Sequence, residues 1–264
     1  KDIIGITMPC FGTTQRTKNN SLALMDQLGI TSETIDIKDA VNQHFQDIGQ
    51  DPNNHDVTYE NCQARERTQV LMDYAGRTSG FVLGTGDLSE LALGWCTYNA
   101  DHMSMYNVNV SIPKTLVKYL VRYFSAAPGY EKSSKTLLDV LDTPVSPELL
   151  PPTEDGKISQ ITEDNVGPYE LHDFFLYNFM RKGFGPKKIY WLATQATFST
   201  NYSKETIKKW LTTFFKRFFT QQFKRSCLPD GPKVGSVSLS PRGDWRMPSD
   251  ATYRMYVKEC EEIE

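Results

Sequence analysis

Residues 81–95 read Phe81-Val82-Leu83-Gly84-Thr85-Gly86-Asp87-Leu88-Ser89-Glu90-Leu91-Ala92-Leu93-Gly94-Trp95, and this stretch decides the fold. The run Phe81 to Thr85 reads as a strand. It passes directly into a Gly-rich turn, GTGDLSE, Gly84 to Glu90, where a helix begins. In an open α/β sheet the crevice beyond the carboxyl ends of the strands is the usual ligand site. Glycines let backbone approach a phosphate, and helix N-terminal amides favour anions. Glu90 is suited to face a hard cation such as Mg²⁺, which prefers carboxylate and phosphate oxygens. An ordinary strand–turn–helix with Asp87 or Ser89 as N-cap is the alternative.

Working outward, Ile3 to Met8 and Thr34 to Ile37 read as two earlier strands. Leu22, Met25 and Leu28 recur at helical spacing before Gly29, a C-cap candidate. Thr58 is a candidate N-cap for a helix whose face carries Ala64, Thr68, Leu71, Met72 and Ala75, closed by Gly76. The order strand, helix, strand, helix, strand predicts an open, mostly parallel sheet covered by helices. Residues 126–168 carry Pro144, Pro147, Pro151 and Pro152 and read as a long surface excursion. Tyr169 to Lys182 reads as a buried helix. A second, starting near Ser203, sets Ile207, Trp210, Leu211, Phe214 and Phe218 on one face. A final helix follows a Pro/Gly/Ser-rich stretch over 228–249.

Across 264 residues, 39% hydrophobic and 23% charged, the chain is long enough to bury a sizeable core and is neither disordered nor fibrous. A net charge of −3 argues against a bulk nucleic-acid binder. No apolar run approaches a membrane span. The five cysteines are scattered, with no C-x-x-C clip, as expected of free thiols in a reducing, cytoplasmic compartment. The four histidines have no zinc-site spacing. Lys1-Asp2 leads at once into a strand with no initiator Met, so a piece of a longer polypeptide is expected.

Further candidates flank the turn. Asn61, Arg65 and Thr68 share a helix face, which is either solvated or a binding surface. Trp95-Cys96-Thr97-Tyr98 and Asp101 follow the Gly-rich turn, where aromatics either stack on a planar ring or fill the core. Lys216-Arg217 to Lys224-Arg225, interleaved with Phe218, Phe219 and Phe223, suits a nucleic acid, or else one side of an amphipathic helix that holds a small phosphorylated ligand. No Ser-His-Asp or Cys-His arrangement stands out.

Eight segments occur in order: YENCQAR (59–65), GTGDLSELALGW (84–95), HMS (102–104), VSIPKTL (110–116), TPVSPELLP (143–151), VGPYEL (166–171), FKRS (223–226) and SPRGDWR (240–246). Together they resemble the synthetase domain of glutamine-dependent NAD⁺ synthetases over almost the whole chain. The resemblance implies a Rossmann-like open parallel sheet of the ATP-pyrophosphatase (adenine nucleotide alpha hydrolase-like) type. It implies ATP-dependent amidation of deamido-NAD⁺ through an adenylate, releasing pyrophosphate and then AMP. Mg²⁺ would be the cofactor, and ammonia would come from glutamine in the parent enzyme.

By the same resemblance, Thr85 and Thr143 contact ATP, and Lys114 contacts its phosphates. Glu90 lies at the metal and at deamido-NAD⁺, so Glu90 and Lys114 are the expected catalytic pair. Asn61, Trp95, Cys96, Thr97, Tyr98, Asp101 and Lys224 line the deamido-NAD⁺ pocket, and no role carries over to Phe223. A homo-oligomer is expected, with neither nucleic acid nor membrane as partner. The whole of 1–264 reads as one synthetase domain. The family's S-G-G-x-D-S loop is not in these residues, which contain no Gly-Gly pair, and neither is its Cys-Glu-Lys glutaminase domain. The 264 residues alone are therefore expected to bind ligand weakly without turnover. Two rivals remain: another ATP-pyrophosphatase ligase, of the GMP-synthetase kind, and a non-catalytic RNA-binding or oligomerisation module built on 214–225.

Overall fold

The computed structural model describes residues 2–153 and 162–264. In chain order the elements are β1 (Ile4–Thr7), α1 (Gln15–Gln27), β2 (Thr31–Thr34), α2 (Lys38–Ile48), α3 (Val57–Thr78), β3 (Leu83–Gly84), α4 (Leu88–Leu93), β4 (Tyr106–Asn107), α5 (Lys114–Ala126), α6 (Ser134–Asp142), α7 (Thr162–Val166), α8 (Tyr169–Lys182), α9 (Pro186–Gln195), α10 (Lys204–Thr220), α11 (Gln222–Arg225) and α12 (Arg254–Glu261). They form two compact units, 1–81 with 118–162 and 82–117 with 163–264.

The strands are parallel, as expected, but the described ones pair as β1–β2 and β3–β4 rather than in one sheet. The second strand is Thr31–Thr34, not Thr34 to Ile37. Ile35 N–H still bonds Thr7 O at 3.0 Å, and Ile37 N–H reaches Pro9 O at 3.4 Å. Pro9 has no N–H to return, so the ladder ends there. The isoleucine run instead fills the core: Ile37 is buried and opens α2.

In the first unit, Phe11, Phe45 and Tyr59 stack with centroids 5.3–6.1 Å apart, beside Cys10, Ile37, Val41 and Cys62. Asp56, not Thr58, caps α3 by accepting from Thr58 N–H and Tyr59 N–H, and α3 runs through Gly76 to Thr78. Within the expected excursion over 126–168 lies α6, held to α1 by Arg16 on Asp139 at 2.6 Å. Of that excursion, 154–161 lie outside the described residues.

The second unit is built on α8 and α10. Ile207, Trp210, Leu211, Phe214, Phe215, Phe218 and Phe219 are all buried. Phe214 meets Phe175 at 6.0 Å and His172 at 6.2 Å, and Phe215 stacks on Tyr256 at 4.8 Å. The His172 Nε2–H donates to Val166 O at 2.6 Å, while Nδ1 has no hydrogen-bond partner among the described residues. A proton arriving at Nδ1 would be buried without an acceptor, so burial pulls the imidazole down to about 4.

One short helix is held from outside. The six residues of α4 leave their C-terminal carbonyls without intrahelical donors. Arg225 Nη1 donates to Leu91 O and Ala92 O, both at 3.0 Å. Arg217 Nε donates to Leu93 O at 2.9 Å, and Lys224 Nζ to Gly94 O at 2.8 Å. Gly94 turns the chain at φ 60°, where a Cβ would also collide with the Gln221 side chain.

Two stability predictions follow from these contacts. Arg225→Met leaves the Leu91 and Ala92 carbonyls without this donor and is expected to cost about 1–3 kcal/mol for each carbonyl left unsatisfied, read from urea unfolding. A loss under ~1 kcal/mol would show that the carbonyls find other donors. His172 is neutral in the fold to about pH 4, against an ordinary value of 6.5. Between these pH values the unfolded chain binds a proton that the native state does not, so stability falls as pH drops through the window. The drop is about 3 kcal/mol for this group and is expected to shrink in His172→Gln, measured as the difference in pH-dependent unfolding between the two proteins.

Candidate functional site

The candidate site lies in the second unit, where β3 ends. β3 pairs Leu83 with Tyr106 and Gly84 with Asn107. Gly84 is required by packing, since a Cβ there would strike Ser104. Asn107, buried, donates from Nδ2 to Gly86 O at 2.9 Å and pins the turn from below. Asp87 then caps α4. Its Oδ1 accepts Glu90 N–H at 3.0 Å, and Glu90 Oε2 accepts Asp87 N–H at 3.1 Å. Of the two readings open for this turn in the sequence, the Asp87 cap is present, and it brings two carboxylates together.

Lys114, the first residue of α5, lies between them. Its Nζ is 2.6 Å from Asp87 Oδ2 and 2.6 Å from Glu90 Oε1. The Tyr169 ring lies 5.5 Å beneath the ammonium. Burial works against the charge on Lys114, but Glu90 and Asp87 outweigh it and raise the ammonium to about 12. Burial pushes the Asp87 carboxyl up, the charge of Glu90 pushes it further, and Lys114 opposes both. Glu90 keeps 26% of its side chain exposed, against 3% for Asp87. The cluster thus presents one half-open carboxylate and one fixed cation.

The segment after α4 forms a second patch. Arg217 lies over the Trp95 ring at 5.2 Å. Lys224 Nζ donates to Cys96 O at 2.6 Å as well as to Gly94 O. An ammonium has three donors, so two are committed to backbone. The sequence reading has Lys224 on the ligand. The structure places it first as the clamp of the Trp95–Tyr98 segment, and burial lowers its pKa. Thr97 N–H donates to Asp101 Oδ1 at 2.7 Å. Asp101 keeps exposed surface, yet the surrounding protein pushes its carboxyl up to about 6 against that bond. Burial raises the Cys96 thiol to about 12, so it is no nucleophile. Tyr98 is exposed and sits 5.4 Å from Phe223 and 6.0 Å from His102.

Among the remaining expected residues, Thr85 is exposed at the turn. Asn61 on α3 and Thr143 belong to the first unit. The Thr143 hydroxyl donates to Asp139 O at 2.8 Å and closes α6. Of the phenylalanines behind the RNA reading of 214–225, Phe214, Phe215, Phe218 and Phe219 are core and cannot stack on bases, and Phe223 is exposed. A cavity of about 250 Å³ is lined by Thr194, Thr197, Phe198, Asn201, Tyr202 and Lys204, none of them an expected site residue. Asp87, Ser89, Asp173, Arg217 and Arg225 are the positions that sequence reasoning missed or took for caps and charges alone.

The donor set can be tested against Mg²⁺. Among the described residues no group of three or more acidic, His or Cys side chains could hold a metal alone. Mg²⁺ does not need such a cage when substrate phosphates and water complete its shell. Glu90 offers one partly exposed carboxylate, already drawn to a cation at 2.6 Å. The residues therefore fit as a one-carboxylate contribution to a metal shared with phosphates.

Among the described residues no helix is long and apolar enough to cross a membrane. The sequence model of the NAD synthase family matches residues 1–220. Over 98% of its length the chain is 44% identical to the glutamine-dependent NAD(+) synthetase of Mycobacterium leprae and covers 42% of that protein. It thus spans less than half the length of this curated relative. The glutamine-dependent NAD(+) synthetase from Cytophaga hutchinsonii has a similar fold, with a TM-score of 0.78 at 16% identity, covering 97% of this chain and 40% of that one. NMN synthetase from Francisella tularensis is similar at a TM-score of 0.56 and 21% identity, covering 79% and 72%. Those two likenesses speak for the α/β fold. The family match takes in the Gly-rich turn, Lys114 and Arg217, and by it this chain belongs to the NAD synthase family.

Proposed function

We propose that this chain carries the synthetase chemistry of ATP-dependent amidation: deamido-NAD⁺ is converted to NAD⁺ through a deamido-NAD adenylate. The observation that carries the reading is the 44% identity to a glutamine-dependent NAD(+) synthetase over nearly all of this chain, with Lys114 held charged between Asp87 and Glu90 at a strand-end turn. A nicotinate carboxylate is a poor electrophile. Its oxygen attacks the α-phosphorus of ATP, pyrophosphate leaves, and the carboxyl carbon then carries an AMP leaving group. Ammonia, derived from glutamine in the parent enzyme, attacks that carbon, and AMP departs.

The residues divide this work by their environments. The Lys114 ammonium donates to the phosphates and offsets charge that grows on pyrophosphate as the bond breaks. Asp87 and Glu90 keep it protonated and aimed. Thr85 adds a hydroxyl beside the turn for ATP, and Thr143 keeps the ATP-contact role that the resemblance implies. Glu90 would hold Mg²⁺, which supplies Lewis-acid neutralisation of phosphate oxygens. Trp95 and Tyr98 offer ring faces for deamido-NAD⁺, with Cys96 and Thr97 backbone between them, and Asp101 holds the segment in shape. Lys224 fixes that surface and has one donor left for the ligand. Asn61 keeps the deamido-NAD⁺ role that the resemblance implies. Residues 1–264 act as the synthetase part, in a cytoplasmic homo-oligomer that binds neither nucleic acid nor membrane.

The test uses the protein in its natural full length, incubated with ATP, Mg²⁺, deamido-NAD⁺ and ammonium. Equal amounts of AMP, pyrophosphate and NAD⁺ are expected. Turnover of a purine-nucleotide acid instead, with none of deamido-NAD⁺, would move the chain to the GMP-synthetase type. Glu90→Gln is expected to lower kcat tenfold or more, ~1.4 kcal/mol of barrier. Wild-type turnover at saturating Mg²⁺ would remove Glu90 from the chemistry. Lys224→Ala is expected to raise KM for deamido-NAD⁺ about tenfold, with kcat changing by less than about threefold. An unchanged KM would leave Lys224 as a helix cap alone.

A further inference from the structure

The segment that delivers Lys114 has a problem at its start. α5 follows Ser111-Ile112-Pro113, and Val117 N–H bonds Pro113 O at 3.0 Å, so Pro113 is in the N-cap position. Proline has no side-chain acceptor, and the first amides of the helix would be orphaned. The acceptors come from elsewhere in the same unit. Lys114 N–H donates to Ser89 Oγ at 2.8 Å. Thr115 N–H and Thr115 Oγ1 donate to Asp173 Oδ2 at 3.0 and 2.7 Å. Ser89 Oγ–H in turn donates to Asp173 Oδ1. Both oxygens of Asp173, in the second turn of α8, are therefore spent on the start of α5, as is the hydroxyl of Ser89.

We infer that Asp173 is a positioning residue for Lys114: through Ser89 and the first amides of α5 it fixes the backbone from which the ammonium reaches Asp87 and Glu90. Ser89 lies between Asp87 and Glu90 in α4, so the same network ties the helix that carries the carboxylates to the helix that carries the cation. The negative charge of Asp173 also suits the amide end of a helix. Asp173 does not touch the ammonium itself, and its whole effect passes through Lys114. That step rests on the function proposed for Lys114.

The experiment combines a cycle of variants with a readout that needs no turnover. In the full-length protein, Asp173→Asn is expected to lower kcat about tenfold with KM for deamido-NAD⁺ nearly unchanged. In a Lys114→Ala background the same change is expected to have little further effect, because its target is gone. Ser89→Ala, a milder cut in the same link, is expected to fall between wild type and Asp173→Asn. Independently, labelling of lysines by an amine-reactive acetylating reagent, read by peptide mass spectrometry, is expected to show Lys114 several-fold more reactive in Asp173→Asn. Equal losses in both backgrounds would overturn the inference, as would unchanged Lys114 labelling in a folded Asp173→Asn or Ser89→Ala protein. If wild type makes no AMP from deamido-NAD⁺, the proposed reaction fails, while the labelling result still decides whether Asp173 positions Lys114.

Discussion

The second unit depends on the capping of one very short helix. α4 has six residues, too few to be stable as an isolated helix. It is closed at its C-terminal end by Arg217, Lys224 and Arg225 and at its N-terminal end by Asp87 with Glu90. Cations at the carbonyl end and carboxylates at the amide end both follow the helix dipole. Because α4 is pinned at both ends, its first turn can carry a carboxylate pair without drifting. Arg225 is 1% exposed and also donates to Gln222 Oε1 and Phe218 O. So many acceptors make a buried guanidinium tolerable where an unpaired one would not be.

The Asp87–Lys114–Glu90 cluster is costly by the same physics. Its cation is shared by two carboxylates. Burial taxes both Asp87 and Lys114. A structural ion pair would gain more from a one-to-one arrangement, and an apolar core would gain more still. Glu90 is the carboxylate with access to solvent, and the cation lies between it and Asp87. A largely buried cation shared by two carboxylates at a strand end has the character of a binding site for a charged partner.

Much of this was legible in the chain. The bounds of α8 match Tyr169 to Lys182, and the stripe Ile207, Trp210, Leu211, Phe214, Phe218 is the buried face of α10, because both signals are local periodicity. Asp87 as N-cap was legible for the same reason: the cap and its partner are three residues apart. What was not legible is long-range. Arg225 meets Leu91 across 134 residues, and Asp173 meets Thr115 across 58. Nothing in KRS or HDF announces a capping role. The strands were over-read because Ile35 and Ile37 are apolar for the sake of the core, while the ladder stops at Pro9 for want of a donor. α6 was hidden by the prolines around it.

The basic-aromatic segment shows how one pattern serves two masters. Read along the chain, Phe218, Phe219 and Phe223 between Lys216 and Arg225 look like a platform for bases. In the folded unit α10 turns Phe218 and Phe219 into the core, where Phe218 meets Phe179 at 5.3 Å and Trp245 at 5.5 Å, while Phe223, on α11, is exposed. Arg217, Lys224 and Arg225 project from the same stretch to the end of α4. The aromatic packing holds α10, which carries Arg217, while Lys224 and Arg225 belong to the next helix, α11. Gly94 O and Cys96 O are thus held by Lys224 of α11, directly after the helix that the phenylalanines pack. The core and the site are coupled through hydrogen bonds of fixed length, which tolerate little of the slack that an apolar contact would absorb.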